Sequence, residues 1–482
     1  MILILTALSQ VFATRYGGSG SEEARGVART SDGGFVMAGY TSSYGAGGDD
    51  MFVVKTDSAG NLLWARAIGD AANDQAYAVA VTSDAGIAIV GYSYSSSSWH
   101  SAVIVKLDAN GTFLWARRFY YASTEYDDFY SMVVTPDAGF VLGGRDLAAF
   151  GAGVHDLLLV KLNSTGNTVW TRGFRNDGWD DSWSIINASG GDIILAGRTE
   201  GPGTFDDDIL VMRVNATTGV LRWARMFRGD TADWAWGVAG TPDGGFAVAG
   251  NSNSWGSSAI ILKVDSLGNL SWAKRVPGSS AYAVAVAADG GIVVAGTSGF
   301  SLLKTDASGN LLWATRLSSL TPRSILVLPD GRIAGAGTYS SDFCLFRVFS
   351  DGTYPDCFLS VTPAPVDVTP VVNTSTSNPT ASFVNVAWNP TVTAVTPNTT
   401  QVCSPVGVSE GPVVPDKGIR ATGLRGAALF ISPWDIPLRI YAADGRLASC
   451  VELKKGENRI RLGQGVYLWM AGSQKGMVVV PE

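Results

Sequence analysis

Short apolar runs alternate with turn-forming residues along most of this chain, and one run keeps returning. Glycines bracket it in GFVMAG (34–39), GIAIVG (86–91), GFVLGG (139–144), GDIILAG (191–197), GFAVAG (245–250) and GIVVAG (291–296). A degenerate seventh copy, RIAGAG, stands at 332–337. Between these copies falls a tryptophan followed by Ala or Thr: Trp64, Trp115, Trp170, Trp223, Trp272 and Trp313. Successive tryptophans are 51, 55, 53, 49 and 41 residues apart. A period of this size marks stacked β units. One unit is clearest over 62–108: a Trp strand, a polar stretch, the strand AYAVAV, the turn TSDAG, a strand at 87–90, a loop of variable length and a strand at 102–106. Val- and Ile-rich strands separated by Asp/Gly turns predict antiparallel hairpins. Four such strands per repeat make one propeller blade.

Strands rich in small residues, such as 76–81 and 281–286, suit the crowded central channel, and the Trp strand suits the wide outer edge. The six tryptophans are therefore expected to be packing residues; truncating one to Ala should cost about 3–5 kcal/mol. Aligning 24–28 with 76–80 lays FATRYG (12–17) over WARAIG (64–69), so the N-terminal segment is an outer strand without a blade of its own. Strands at 323–328, 332–337 and 343–348 lack a fourth member. Pairing them with 12–16 closes the ring and removes an exposed edge. The expected fold is all-β: a seven-bladed β-propeller over 12–354, closed by the N-terminal strand, then a linker and a small C-terminal β-sandwich.

Residues 355–416 are rich in Pro, Thr, Ser and Val, which fits a linker or an irregular β strip. Cys357 and Cys403 bracket that stretch and form a possible disulfide in an oxidising compartment. Cys344 and Cys450 read as lone buried thiols. Residues 417–482 read as a separate β unit containing PLRIYAADGRL, GENRIRL, GVYLW and KGMVVV.

Those last motifs, in that order, resemble the C-terminal sorting domain of the type IX secretion system, carried here by Tyr441, Gly445, Arg446, Gly465, Tyr467 and Lys475. The Gly/Trp repeats in turn resemble secreted bacterial β-propellers of the SBBP type. Together the resemblances imply export across an outer membrane by type IX machinery, followed by release or attachment at the cell surface of a Gram-negative-type bacterium. They supply no catalytic residue. Residues 1–13, MILILTALSQVFA, look like the end of a secretory signal peptide with a possible cut after Ala13; the other reading is that 8–17 is simply a β-strand. No other run approaches 18 apolar residues, so no membrane-spanning segment is expected.

Charge narrows the partners. Only 16% of residues are charged, the net charge is −7, and no Lys/Arg cluster occurs. Phosphate neutralisation requires such clusters, so nucleic acid is not an expected partner. A monomer is expected. No G-x-S-x-G, HExxH, P-loop or CxxC motif is present, and no cofactor is expected.

Tight turns occupy one propeller face, which leaves function to the face with long loops. Glu22, Asp74, Asp127, Asp180 and Asp233 recur there before the inner strands, with Asp50, Asp156, Asp208 and Asp342 before the third strands. Two readings stay open: an acidic rim with weak affinity for Ca²⁺ or a basic ligand, or carboxylates bonded to their own loop amides. Tyr44, Trp99, Phe150, Phe205, Trp255 and Tyr339 each place one ring in a loop of that face. Such rings could stack on sugars or pack on their own loops; Trp99 and Trp255, in Ser-rich loops, are expected to be the most exposed. The sequence thus favours a non-enzymatic surface binding module for a glycan, matrix polymer or protein. Its alternatives are a carbohydrate-active hydrolase or lyase using Asp127/Asp128, Asp180/Asp181 or Asp206–Asp208, and a structural surface-layer protein.

Overall fold

A computed structural model describes residues 11–352, apart from five loop segments (95–99, 121–125, 148–154, 175–177 and 201–205), and the backbone of the strands beyond 352 given below. It is a seven-bladed β-propeller with a single short 3-10 turn, Ser189–Gly191, among the described residues. No helix there is long and apolar enough to cross a membrane. The inner strands, in blade order, are Glu22–Arg29, Asp74–Val81, Asp128–Val134, Asp180–Ala188, Asp233–Gly240, Ser280–Val286 and Leu320–Val327. Each pairs antiparallel with a second strand, which pairs with a third and then an outer strand.

The recurrent T-x-D-x-G turn explains how each inner strand reverses. In blade 1 the Asp32 carboxylate accepts from Thr30 Oγ1 and, at 3.1 Å, from the Gly34 amide, while Gly33 takes a φ of 84°. Lys55, reaching from the third strand, lies 2.9 Å from Asp32. The Thr30 hydrogen bond and that ammonium hold Asp32 down near 2, against the upward push of burial. Lys106–Asp84, Lys161–Asp137, Lys263–Asp243 and Lys304–Asp289 repeat the pair.

The basic residue of each pair stands opposite the repeat tryptophan, as in Lys55↔Trp64. Each indole then reaches into the next blade. Trp64 Nε1 donates to Ala109 O (3.3 Å), Trp170 to Ala216 O (3.2 Å) and Trp272 to Ala307 O (3.0 Å). Gly111 sits on the Trp64 ring with a φ of 76°, and a Cβ there would meet the indole at 3.0 Å. The expected packing role therefore takes a specific form, a clamp from one blade onto the turn of its neighbour. The indoles are mostly half-buried, Trp170 alone being 8% exposed.

Closure follows the expected scheme. Phe12–Gly17 pairs antiparallel with Asp342–Val348 as the outer strand of blade 7. Phe12 takes the tryptophan position, opposite Arg347, and its ring lies against Gly60 of blade 1. Tyr16, fully buried, donates its hydroxyl to Gly60 O at 2.5 Å. A cut after Ala13 would fall inside this strand and remove Phe12 from the core.

Residues 355–416 contribute six short strands that extend the blades outward. Leu359–Ser360 joins blade 6, Val366–Asp367 blade 5 and Val371–Asn373 blade 4. Val384–Ala387 then joins blade 2, Thr391–Val395 blade 1 and Asn398–Cys403 the closing strand of blade 7. This belt runs round the propeller against the order of the blades and ends one blade from where it started. Only blade 3 has no fifth strand among the described residues. Cys403 stands opposite Ala13, whereas Cys357 lies outside the described residues. Cys344 is buried and free, and burial pushes its thiol up to about 12.

The C-terminal strands form a three-stranded sheet (Arg420–Leu424, Ala427–Ser432, Gly456–Arg461) and a four-stranded one (Leu447–Leu453, Ile436–Ala442, Gly465–Ala471, Gln474–Val480). Tyr441 and Tyr467 stand on neighbouring strands of the second sheet, and Lys475 pairs with Met470. Gly445 and Arg446 lie outside the described residues.

Candidate functional site

Every inner strand carries a β-bulge at the same place. In blade 1 Ala24 pairs with Gly39 and Gly26 with Ala38, so Arg25 is the extra residue. Tyr77, Tyr130, Trp183, Trp236, Tyr282 and Arg323 are the extra residues of blades 2 to 7. A bulge re-aims the side chain it inserts; here all seven line the central channel. The bulge also accounts for the second glycine of the repeat. A Cβ on Gly39 would lie 1.8 Å from Glu23 O, and one on Gly91 would lie 1.9 Å from Gln75 O.

The seven side chains form a nearly continuous ring. Arg25 lies over Tyr77 at 4.2 Å, Tyr77 meets Tyr130 edge-on at 4.8 Å, and Tyr130 stacks on Trp183 at 4.1 Å. Trp183 meets Trp236 at 4.4 Å, Trp236 approaches Tyr282 at 6.4 Å, and Arg323 lies over Tyr282 at 4.2 Å. Glu23 joins the ends, 3.2 Å from Arg25 Nε and 3.6 Å from Arg323 Nε. Ring contacts of this kind add about 0.5–1.5 kcal/mol each, enough to order the ring. On the long-loop side lies a depression of about 240 Å³ lined by Glu23 and the ring alone; the ring also borders a channel of about 550 Å³ walled by small and aliphatic residues.

Charged pairs back the ring two residues before the bulge. Asp128 lies 2.9 Å from His100 Nε2 and 2.8 Å from Arg145 Nε, and accepts from Tyr130 OH at 2.9 Å. Burial would raise its carboxyl, but His100 and Arg145 bring it down to about 2. Tyr92, Tyr94 and Tyr126 surround the His100 ring at 4.7–4.8 Å. One blade on, Arg198 contacts Asp181 and lies 2.9 Å from Asp207, which accepts from Trp234 Nε1 at 2.7 Å. Burial nonetheless leaves Asp181 raised. His155, against Trp179 at 4.5 Å, is driven down to about 4 by desolvation and then by Arg145.

The carboxylates expected at the rim are buried at blade junctions. Glu22 accepts from the Gly18 amide and Thr41 Oγ1, Asp74 from the Asp70 amide, and Asp233 from the Gly229 amide and Ser254 Oγ. Asp127 and Asp180 are buried in the equivalent place. Asp50 and Asp74 converge on Gly69, where a Cβ would lie 2.2 and 2.6 Å from their oxygens. Burial raises Asp50 to about 6, Asp74 to about 7 and Asp208 to about 7, and neighbouring carboxylates add to the shift. Asp156 is buried, and Asp342 lies 3.1 Å from Arg15. Among the described residues no three His, Cys, Asp or Glu side chains converge as a metal site.

The loop aromatics are not brought together. Tyr44 stacks on Phe52 at 5.9 Å and donates to Gly17 O. Tyr339 packs against the blade 6–7 core beneath Arg15. Trp255 is half-buried against the blade 4–5 core, less exposed than its Ser-rich loop suggests. Trp99, Phe150 and Phe205 lie outside the described residues. Sequence reasoning passed over the ring because inner strands were read for small residues. The signal was a single large side chain recurring in one column, directly after Ala24, Ala76, Phe129, Ser182, Ala235, Ala281 and Pro322.

No protein-family model matches the chain, and no curated protein matches it by sequence. Among solved structures it is similar to Sqt1 of Chaetomium thermophilum, at 11% identity over 71% of this chain and 98% of that one, with a TM-score of 0.44. The Dos1 propeller aligns at 10% identity over 73% and 98%, with a TM-score of 0.42. The extracellular domain of BT4673 from B. thetaiotaomicron aligns at 12% identity, with a TM-score of 0.42. That alignment covers 97% of this chain and 60% of that one.

Proposed function

We propose that this protein is a secreted or cell-surface binding module, exported by a type IX-like system, whose glycan, matrix or protein ligand docks at the channel mouth on the long-loop face. The observation that carries this reading is the bulge-built ring of Tyr77, Tyr130, Trp183, Trp236 and Tyr282 flanked by Arg25 and Arg323. All seven blades spend a bulge and a glycine on it, and stacked aromatics with polar edges are favoured contact surfaces. The test is the full chain on a glycan array and against chromogenic glycosides, beside Trp183→Ala and Trp236→Ala. Saturable binding without turnover, lost in both variants, is expected. Turnover abolished by Asp127→Asn or Asp180→Asn would replace this reading with a hydrolase. The motifs at Tyr441, Gly465, Tyr467 and Lys475 support the export route; deleting 417–482 should hold the protein in the periplasm, and normal export would refute it.

A further inference from the structure

Resting on the reading that the ring is the binding surface, we infer that its occupant is a carboxylate-bearing pyranose, a uronate-type sugar, seated ring-down on the indoles of Trp183 and Trp236 with its carboxylate at Arg25 and Arg323.

The ring is rich in donors and poor in acceptors. Trp183 Nε1, Trp236 Nε1, Arg25 Nη1 and Arg323 Nε are buried with no hydrogen-bond partner within the chain. Glu23 is the one carboxylate lining the depression, and it already accepts from Arg25 Nε at 3.2 Å. Two guanidiniums share that single carboxylate, so one positive charge between blades 7 and 1 is uncompensated within the ring. Arginine's fork matches a carboxylate in two parallel hydrogen bonds. The guanidinium of Arg323 lies over Tyr282, and that of Arg25 over Tyr77, each at 4.2 Å.

Size and shape select the rest of the ligand. At about 240 Å³ the depression is smaller than the roughly 300–1,000 Å³ of pockets that hold drug-sized molecules, which fits one sugar unit. Its aromatic walls offer apolar surface to the C–H side of a pyranose. A bare carboxylate would satisfy the arginines and leave the aromatic faces uncovered. A neutral sugar would cover the faces and leave the charge unmet.

The experiment is titration of the full chain, followed by tryptophan fluorescence, with glucuronate, galacturonate and oligogalacturonides beside glucose and galactose. Uronates are expected to bind at least about tenfold tighter than the neutral sugars. Their affinity should fall as salt rises from low to high ionic strength. Arg323→Gln should lower uronate affinity by about tenfold and so close the gap to the neutral sugars. Arg323→Lys, which keeps the charge and loses the fork, should fall between. Monomers binding as well as oligomers would identify a free uronate; oligomers binding better would identify a polymer end. Equal affinity for neutral and acidic sugars, lost in Trp183→Ala, would overturn the inference and leave the binding surface standing. Uronate binding unchanged in Trp183→Ala would overturn both; no sugar binding at all would overturn the inference and leave the surface to a protein ligand.

Discussion

Replacing Phe12 by alanine probes ring closure at its thinnest point. Phe12 is 1% exposed and stands where six other blades carry tryptophan. Its ring meets Phe35 edge-on at 6.4 Å, carries the Arg347 guanidinium at 5.0 Å and abuts Gly60 of blade 1. Truncating a buried Phe to Ala costs about 3–5 kcal/mol, and the lost cation–π contact adds about 0.5–2 kcal/mol. At roughly 2 °C per kcal/mol for a domain of this size, the melting temperature should drop by about 7–14 °C. Calorimetry of the full chain beside Leu312→Ala, whose side chain is 55% exposed, supplies the comparison. A shift no larger than that control's would refute the closing role assigned to this strand.

Stability should peak on the acid side. Asp74 and Asp208 hold their protons to about pH 7 and Asp50 to about 6, whereas unfolded aspartates release them near 4. Between those limits the folded chain binds more protons, so stability falls as pH rises from about 4 to about 7. Asp32, Asp128, Asp137 and Asp243, held near 2, act oppositely: their contribution is present above about pH 4 and lost as pH falls towards 2. Thermal melts should therefore be highest near pH 4–5 and flatten in Asp74→Asn; a midpoint climbing steadily from pH 5 to 8 would contradict the burial argument. Gly91→Ala should cost about 4 kcal/mol or more, because its Cβ would lie 1.9 Å from Gln75 O. Gly190→Ala, at a φ of 77° with nothing within 4 Å, should cost only about 1 kcal/mol in denaturant melts. Similar losses at the two sites would refute the reading of the second glycine.

Blade number, strand order and closure were legible because each rests on periodicity, which a single chain displays directly. The alignment of FATRYG with WARAIG placed Phe12 on Trp64, and the structure gives Phe12 the same packing against a turn glycine. The ring was not legible, since strand alternation assumes regular pairing and a bulge shifts every later residue by one. Read without bulges, Tyr77 and Trp236 are merely large residues in otherwise small strands. The glycines at 39 and 91 held the clue, as residues lacking a Cβ where a carbonyl needs room. The belt was half legible: composition allowed a strip, but nothing local says which edge a three-residue strand will join.

The belt has a consequence for the order of events in the life of the chain. Its strands follow all seven blades in sequence, so they can seat only after the blades offer finished outer edges. Asn398–Cys403 then lies alongside Phe12–Gly17, which turns the closing strand from a border into an interior member of its sheet. Before that moment the closing strand can peel away by losing hydrogen bonds on one side; afterwards it must lose them on both. The belt thus locks the closing strand, and opening the ring should be slow even where closing it stabilises the fold only modestly.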